Sequence, residues 1–409
     1  MFRVYKKNKL SFILILILFS LLFFHCGKKE TEPAKPELSK AVEGVESPKP
    51  SSEKPIKIGC GIPITGDSAQ FGVMVKKGIE LGLDEINGAG GINGRKVEVI
   101  YGDDCSQPQE AVAVAQKFAE DKDIVAVIGH FNSICSIPAR SIYDEVGLLE
   151  FSPASTNADF AKGSKWAFRN IFNDRFQGQS IARYIKNQLG LKTAAVFYDN
   201  DDYGAPLKDF FVEEAKKIGL NVLATEAYEK DTIDFSPQLT KIKSLNPDIT
   251  FISGLYSHGG RIVAKARELG IATPFIGSDG AFSSDFIALA GKAAEGTIIS
   301  CPFLPQLGGE KGKNFSDKFQ KKYGEVPDAW AVLSYDALNM IVDAIKKVGP
   351  DRTAIRDAFA AINSPEKAYP GVGGPIYFDE NGDCKKPIHM AIIKDGQFIP
   401  APIQMPMED

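Results

Sequence analysis

Short apolar strands alternate with amphipathic helices along most of this chain, and that order leaves few possible folds. Residues 57–62 have the pattern of a strand, and residues 68–87 have apolar side chains at helical spacing on one face. The alternation continues to about residue 169 and starts afresh at residue 175. Strands separated by helices of this length form parallel, doubly wound sheets. Two successive sets therefore predict an α/β protein with two lobes.

The first 26 residues have the pattern of an export signal. Basic residues precede an apolar run over residues 10–24, which is too short to span a membrane as a mature helix and predicts a signal peptide, residues 1–26. Cys26 follows this run, and we expect it to be lipidated, although His25 stands where bacterial lipoproteins usually have a small residue. Cleavage at another point is the alternative and would release a soluble exported protein.

Residues 27–54 are rich in Lys, Glu, Pro and Ser and contain almost no large apolar side chain. Such a composition cannot offset the entropy lost on folding, which predicts a disordered tether. By flexible-chain scaling the tether spans roughly 30 Å. We therefore expect an exported, periplasmic or cell-surface protein, held to the membrane through Cys26 and able to reach a membrane partner.

The remaining composition excludes several classes of function. The 48 basic and 52 acidic residues are nearly balanced and form no basic stripe, so we expect no nucleic-acid partner. The four histidines lack metal-ligand spacing, and no known catalytic or nucleotide motif is present, so we expect no metal, no cofactor and no enzyme. Cys135 near His130 is the best nucleophile and base pair, but a disulfide is the simpler fate of an exported cysteine.

Small hydroxyl side chains follow two neighbouring strands of the first set. The strand at residues 124–128 leads to Ser133, and the strand that begins at residue 148 leads to Ser155 and Thr156. In open parallel sheets, ligands bind beyond the carboxyl ends of the strands. Hydroxyls beside a helix N-terminus suit a carboxylate, although each residue taken singly is more simply explained as a helix cap or a turn former. Their combination favours anion binding.

The second set of strands ends in acidic and aromatic side chains. Asp279 lies in a short loop flanked by glycines, where its carboxylate is well placed to face a cleft, although a turn aspartate competes with this interpretation. Tyr203 and Tyr256 follow two further strands and are either cleft residues or packing residues. The aspartates at 199, 201 and 202 are interpreted as helix caps.

From residue 56 to about residue 398 the chain resembles the periplasmic branched-chain amino-acid-binding proteins of ABC transporters, the leucine/isoleucine/valine-binding type. The matching motifs occur in the order typical of that family across the whole domain. They are Pro63-Ile64-Thr65-Gly66 to Gly72, Glu85-Ile86-Asn87-Gly88 to Gly94, Tyr101-Gly102-Asp103-Asp104-Cys105, Ile128-Gly129-His130, Ser152-Pro153-Ala154-Ser155-Thr156, Tyr203-Gly204 and Gly277-Ser278-Asp279-Gly280.

The resemblance implies a type I periplasmic-binding-protein fold, in which two doubly wound α/β lobes are joined by three crossovers. The first lobe would comprise residues 55–170 and 301–372, and the second residues 171–300 and 373–409. We expect a monomer that closes on its ligand and delivers it to a membrane permease. A sensory ligand-binding subunit with the same lobes is the alternative.

The resemblance also implies roles for the residues at the strand ends. Ser133 and Thr156, with Ser155 and the backbone of Ala154, would bind the α-carboxylate of a free amino acid, most simply a branched-chain one. Asp279 would bind its α-ammonium, while Phe71, Tyr203 and Tyr256 would form the walls; many relatives have Glu in place of Asp279. Related proteins bind amides, urea derivatives or aromatic acids, so these ligand classes remain alternatives for this chain. A disulfide between Cys105 and Cys135 is also implied.

Overall fold

The computed structural model describes residues 54–406. The predicted signal peptide, Cys26 with its predicted lipidation, and almost all of the predicted tether lie outside these residues. Within residues 54–406 no helix is long and apolar enough to cross a membrane. Two separate large sheets, each flanked by helices, confirm the prediction of two α/β lobes.

The fourteen strands within residues 54–406 form two large sheets and one small hairpin. The first lobe contains a parallel sheet in the order β2-β1-β3-β4-β5, and the second a sheet in the order β14-β13-β10-β9-β8-β6-β7, in which β13 and β14 run antiparallel. The strands are β1 Ile56–Ile62, β2 Val97–Asp103, β3 Ile124–Gly129, β4 Leu149–Ser152, β5 Ala167–Arg169, β6 Thr193–Asp199, β7 Asn221–Tyr228, β8 Ile249–Ser253, β9 Phe275–Gly277, β10 Ile298–Cys301, β11 Tyr369–Gly371, β12 Gly374–Ile376, β13 His389–Lys394 and β14 Gln397–Pro400.

Helices cover the faces of both sheets. They are α1 Ala69–Gly88, α2 Pro108–Glu120, α3 Ser133–Val146, α4 Asp174–Arg183, α5 Gly204–Ile218, α6 Ser236–Leu245, α7 Tyr256–Glu268, α8 Ser284–Ala290, α9 Gly309–Tyr323, α10 Ala329–Val348 and α11 Arg352–Ala360. Helices α9, α10 and α11 return to the first lobe, where α10 packs on α1. This close packing needs Gly78, since a Cβ there would lie 2.1 Å from the carbonyl oxygen of Ala331.

The last passage between the lobes comes later in the chain than the sequence predicted. We placed the boundary at residue 373, but Phe378 still packs on the aromatic core of the first lobe, and a β-bridge joins it to Cys384. The chain re-enters the second sheet only at β13. The ring centroids of Phe378 lie 4.9 to 6.0 Å from those of Phe151, Phe168 and Phe359.

The lobes touch each other at several points around the cleft. Trp330 in α10 donates its indole N–H to the carbonyl oxygen of Phe282 in the second lobe (3.0 Å). Lys230, in the loop after β7, donates to the carbonyl oxygen of Ser106 in the first lobe (3.2 Å). A hydrogen bond also joins the Asn157 side chain to the Asp202 carbonyl, and the Phe71 and Tyr256 rings meet edge to face. The structure therefore shows the lobes closed.

Candidate functional site

A small cavity lies between the lobes, where the parallel strands of both sheets end. The loops after β3 and β4 line it from the first lobe, and the loops after β6, β8 and β9 from the second. Its volume is about 20 Å³, slightly above the ~10–15 Å³ that a single water molecule needs. The position agrees with the rule that parallel sheets bind ligands beyond their carboxyl ends.

One end of the cavity is formed by the N-terminus of α3 and the loop after β4. Helix α3 begins at Ser133 with Asn132 as its N-cap. The first N–H groups of a helix have no partner within it and carry partial positive charge, which favours an anion. Ser133, Ala154 and Thr156 all line the cavity. This end therefore suits a carboxylate.

The loop around Thr156 is held from two sides by buried side chains. The Ser152 hydroxyl accepts the N–H of Ser155 (2.8 Å). The fully buried guanidinium of Arg169 donates to the carbonyl oxygens of Ser155 and Asn157, both at 2.8 Å. Because both peptides that flank Thr156 are fixed, its position in the cleft is fixed as well. Sequence analysis gave Arg169 no role.

Ser155 differs from its neighbours because its hydroxyl turns away from the cavity. It lies 2.6 Å from the hydroxyl of Ser136 and donates weakly to that of Ser133 (3.4 Å). Phe71 and Tyr256 also stand behind the lining, where their rings contact each other with centroids 4.8 Å apart. The structure therefore brings Ser133, Ala154 and Thr156 into the cavity lining. Ser155, Phe71 and Tyr256 pack behind that lining and do not contact the cavity.

Asp279 forms the opposite end of the cavity. One carboxylate oxygen accepts from the hydroxyl of Tyr203 (2.5 Å) and from the side-chain amide of Gln177 (2.9 Å). Both Asp279 and Tyr203 line the cavity and are buried. Burial raises the pKa of Asp279, while its bonds to Tyr203 and Gln177 lower it in part. A carboxylate held in this way suits an ammonium group.

A second buried acid, Asp174, lies near this end of the cavity and was not predicted. It opens helix α4, directly after the first crossover, and is fully buried. Burial and the neighbouring charge of Asp279 raise its pKa well above the usual range, and the nearby Thr156 side chain lowers it in part. Among residues 54–406 no group of three or more His, Cys, Asp or Glu could hold a metal ion.

Asp201 adds a further carboxylate to the lining. It accepts the backbone N–H groups of Tyr203 (2.9 Å) and Gly204 (2.7 Å), the capping role that the sequence predicted, and it also faces the cavity. Among the described residues that line the cavity, none is Lys, Arg or His. The charge of the lining is therefore negative, which favours a ligand with a cationic group.

An apolar wall completes the cavity. Phe131 and Trp330 line it with their rings 5.0 Å apart, and Phe131 stacks on Phe71 at 4.5 Å. Leu255 and Ile134 add aliphatic surface. Sequence analysis predicted Phe71 as a wall residue but missed Phe131 and Trp330. The only signal was their aromatic character, which core residues share.

The structure does not assemble the Cys135 and His130 pair. His130 is fully buried, and its ring nitrogens contact Asp104 (2.8 Å) and the Tyr143 hydroxyl (3.1 Å). Burial raises the pKa of the Cys135 thiol, which keeps it in the neutral, unreactive form. The geometry therefore gives no support to a nucleophile here.

The disulfide implied for Cys105 and Cys135 is absent from the structure, where both are free thiols. Cys105 lies in the loop after β2, where its φ angle is +49°, and its sulfur is 3.3 Å from the Thr65 hydroxyl. The Cys135 thiol is instead buried in the first turn of α3. The two sulfurs therefore lie in different surroundings.

Comparisons with known proteins place this arrangement in context. Residues 55–397 match the family described as periplasmic binding proteins. Leu/Ile/Val-binding protein homolog 1 from Brucella suis biovar 1 is 33% identical over 336 residues, which cover 81% of this chain and 88% of that protein.

Two solved structures are also similar to this chain. The leucine binding protein LivK from Thermotoga maritima has a TM-score of 0.81 at 31% identity, over 86% of this chain and 99% of that one. LivJ from Streptococcus pneumoniae, solved with isoleucine, has a TM-score of 0.81 at 30% identity, over 86% and 100%.

Proposed function

Since the chain belongs to the periplasmic binding protein family, and to the type that includes Leu/Ile/Val-binding proteins, we propose that it binds a free amino acid between its lobes for an ABC importer. One observation carries this proposal. Ser133 and Thr156 of the first lobe face Asp279 of the second across one small cavity. A zwitterion meets a carboxylate-binding group at one end and an ammonium-binding group at the other.

Each end contributes through hydrogen bonds to a charged group. Such bonds contribute roughly 1.5–3 kcal/mol each. The α-carboxylate lies at the N-terminus of α3, against Ser133, Thr156 and the backbone of Ala154. The α-ammonium lies against Asp279, which Tyr203 and Gln177 orient. Because the two ends belong to different lobes, the ligand stabilises the closed arrangement.

The charge of the lining favours an amino acid over an aromatic acid or an uncharged amide. Asp201 and Asp279 face the cavity, and none of its described lining residues is basic. A carboxylic acid without an ammonium group would bring a third negative charge close to two carboxylates. Like charges at close range destabilise a complex. A free amino acid therefore suits the charge of this cleft better than an aromatic acid or an uncharged amide does.

Export, anchoring and delivery complete the proposed function. We propose that Cys26 carries the lipid anchor, that residues 27–54 act as its tether, and that a membrane permease receives the ligand. The family is a solute-binding family, and we propose no catalysis for this chain. Metabolic labelling with palmitate tests the anchor: the wild type should be labelled and retained in the membrane fraction, and Cys26→Ser should be neither.

Calorimetric titration of the chain from residue 48 onwards, which forms a compact unit, tests the ligand class. After removal of carried-over ligand, it is titrated with amino acids and with the matching carboxylic acids that lack the ammonium group. We expect only the amino acids to bind, and Asp279→Asn to weaken binding by about 10- to 150-fold, the ratio that ~1.5–3 kcal/mol implies.

Asp209→Asn is the matched control, since Asp209 is exposed on helix α5 and does not line the cavity. It should bind as the wild type does. Equal affinity for an amino acid and its deaminated acid would refute the role of Asp279. Restored uptake in cells that lack the protein would separate import from a purely sensory role.

A further inference from the structure

The indole ring of Trp330 has a fixed orientation that is set by the first lobe. Trp330 lies in the first turn of α10, which begins at Ala329 and is capped by the side chain of Asp328. Its ring meets those of Phe71 and Phe131 edge to face, with centroids 5.5 and 5.0 Å away. The helix cap and both ring contacts belong to the first lobe, so this lobe determines where the indole N–H points.

The acceptor of this N–H belongs to the turn that carries Asp279. Residues Asp279–Ala281 form one turn of 3-10 helix in the second lobe. The backbone N–H of Phe282 closes that turn by donating to the carbonyl oxygen of Asp279 (2.8 Å). The carbonyl oxygen of Phe282 accepts the indole N–H of Trp330 (3.0 Å). Phe282 therefore connects the ammonium-binding turn directly to the opposite lobe.

Two other hydrogen bonds between the lobes are more accessible to water. Lys230 is exposed where it donates to Ser106, and the bond from Gln70 to Ser284 is exposed and 3.5 Å long. Trp330 and Phe282 are instead 1% and 3% exposed. A buried group that loses its partner keeps the full cost of its removal from water, whereas an exposed group bonds to water instead. The bond from Trp330 is therefore the most costly of these three to lose.

We propose that the indole N–H of Trp330 is a latch that holds the cleft closed over the ligand, and that Trp330 thereby positions Asp279 against the first lobe. The inference rests on the proposed amino-acid function and adds a group that controls the affinity through the closed arrangement. When the lobes separate, the N–H and the carbonyl oxygen part and both are exposed to water. Because a ligand stays bound only while the cleft is closed, the latch should slow its release and leave its entry unchanged.

Replacing the indole N–H with sulfur tests the latch without changing the shape of the ring. The chain contains two tryptophans, Trp166 and Trp330. A tryptophan auxotroph supplied with L-3-benzothienylalanine, expressing the chain from residue 48 with Trp166→Phe, therefore replaces Trp330 alone. Sulfur cannot donate a hydrogen bond, which leaves the buried Phe282 carbonyl oxygen without its partner in the closed cleft.

We expect the Kd values of L-leucine, L-valine and L-alanine to rise by about 5- to 150-fold, the ratio that ~1–3 kcal/mol implies. The factor should be similar for the three amino acids, because the bond involves no ligand side chain. Stopped-flow kinetics should place the increase in koff, with kon changed by less than ~2-fold.

Trp166→Phe alone is the matched control, since Trp166 lies outside the cavity, where the guanidinium of Arg356 packs over its ring at 4.9 Å. It should bind each amino acid as the wild type does. Trp330→Phe also removes the donor and decides the question if the benzothienyl protein does not fold. A rise in Kd of less than ~5-fold, or one that lies in kon, would overturn the latch while leaving the proposed function standing. Failure of every amino acid to bind the wild type would overturn both.

Discussion

Replacing Asp383 with Asn should destabilise the protein, because it removes the counter-charge of the buried arginine that supports the cleft loop. The Nε atom of Arg169 lies 2.7 Å from a carboxylate oxygen of Asp383, with the Arg169 side chain fully buried and that of Asp383 13% exposed. Breaking a buried ion pair by neutralising one partner costs about 3–5 kcal/mol, because the other charge stays buried. We therefore expect Asp383→Asn to lower the free energy of unfolding by about 3–5 kcal/mol.

Loss of the ion pair with Asp383 should also affect the ligand site, because the Arg169 guanidinium contacts both. Arg169 also holds the carbonyl oxygens of Ser155 and Asn157, which flank Thr156. If the guanidinium shifts towards solvent or towards Asp174, this loop loses its anchor. We therefore expect Asp383→Asn to weaken amino-acid binding as well as to lower the free energy of unfolding. Denaturant titration measures the second effect, and calorimetric titration the first.

Glu380→Gln makes the same change of carboxylate to amide three residues away, on an exposed side chain. It should alter the free energy of unfolding by less than ~0.5 kcal/mol, as surface substitutions usually do. A value for Asp383→Asn within ~1 kcal/mol of this control would refute the reasoning, since breaking a buried pair costs several times more. Arg169→Met, alone and combined with Asp383→Asn, would then give the coupling energy of the pair directly.

Three further results are expected. Because burial raises the pKa of Asp279, this carboxylate takes up a proton at a higher pH than an exposed aspartate. The affinity for amino acids should therefore be full at neutral pH and fall on acidification. A constant affinity down to about pH 4 in calorimetric titrations would contradict this prediction. Asp328 caps helix α10 by accepting the Ala331 N–H (3.0 Å), so thermal unfolding should show Asp328→Ala less stable than the wild type by about 1 kcal/mol and Asp328→Asn nearly unchanged. The chain from residue 48, denatured without reductant, should titrate five thiols, and a deficit of two would indicate a bond such as Cys105 to Cys135.

The sequence predicted the polar ends of the cavity because topology restricts where they can lie. A hydroxyl or carboxylate that follows a buried parallel strand stands at the one edge of the sheet where ligands bind. Ser133, Thr156 and Asp279 each follow such a strand, and the structure places all three in one cavity. The alternation of strands and helices was enough to locate them.

The supporting charges could not be predicted in the same way. Arg169 and Asp174 lie on either side of the first crossover, in a stretch that reads as an ordinary strand end and helix start. The charges that act on them, Asp383 beside Arg169 and Asp279 near Asp174, come from distant parts of the chain. The packing of the chain after the predicted boundary at residue 373 was missed for a related reason. The segment up to Cys384 is fixed by the packing of Phe378 on three phenylalanines, which no local pattern encodes.

The apolar wall of the cavity could not be predicted from the sequence for a different reason. Polar groups in a buried site must each find a partner, and that requirement ties them to strand ends and helix termini. Apolar side chains have no such requirement, and many combinations of similar volume fill the same space. The sequence indicates that Trp330 is a core residue of a long helix. The structure agrees, since Trp330 is 1% exposed and packs on Phe71. It becomes a cavity wall only because closure brings the second lobe against it. The sequence therefore predicts the polar ends of the cavity better than it predicts the apolar wall.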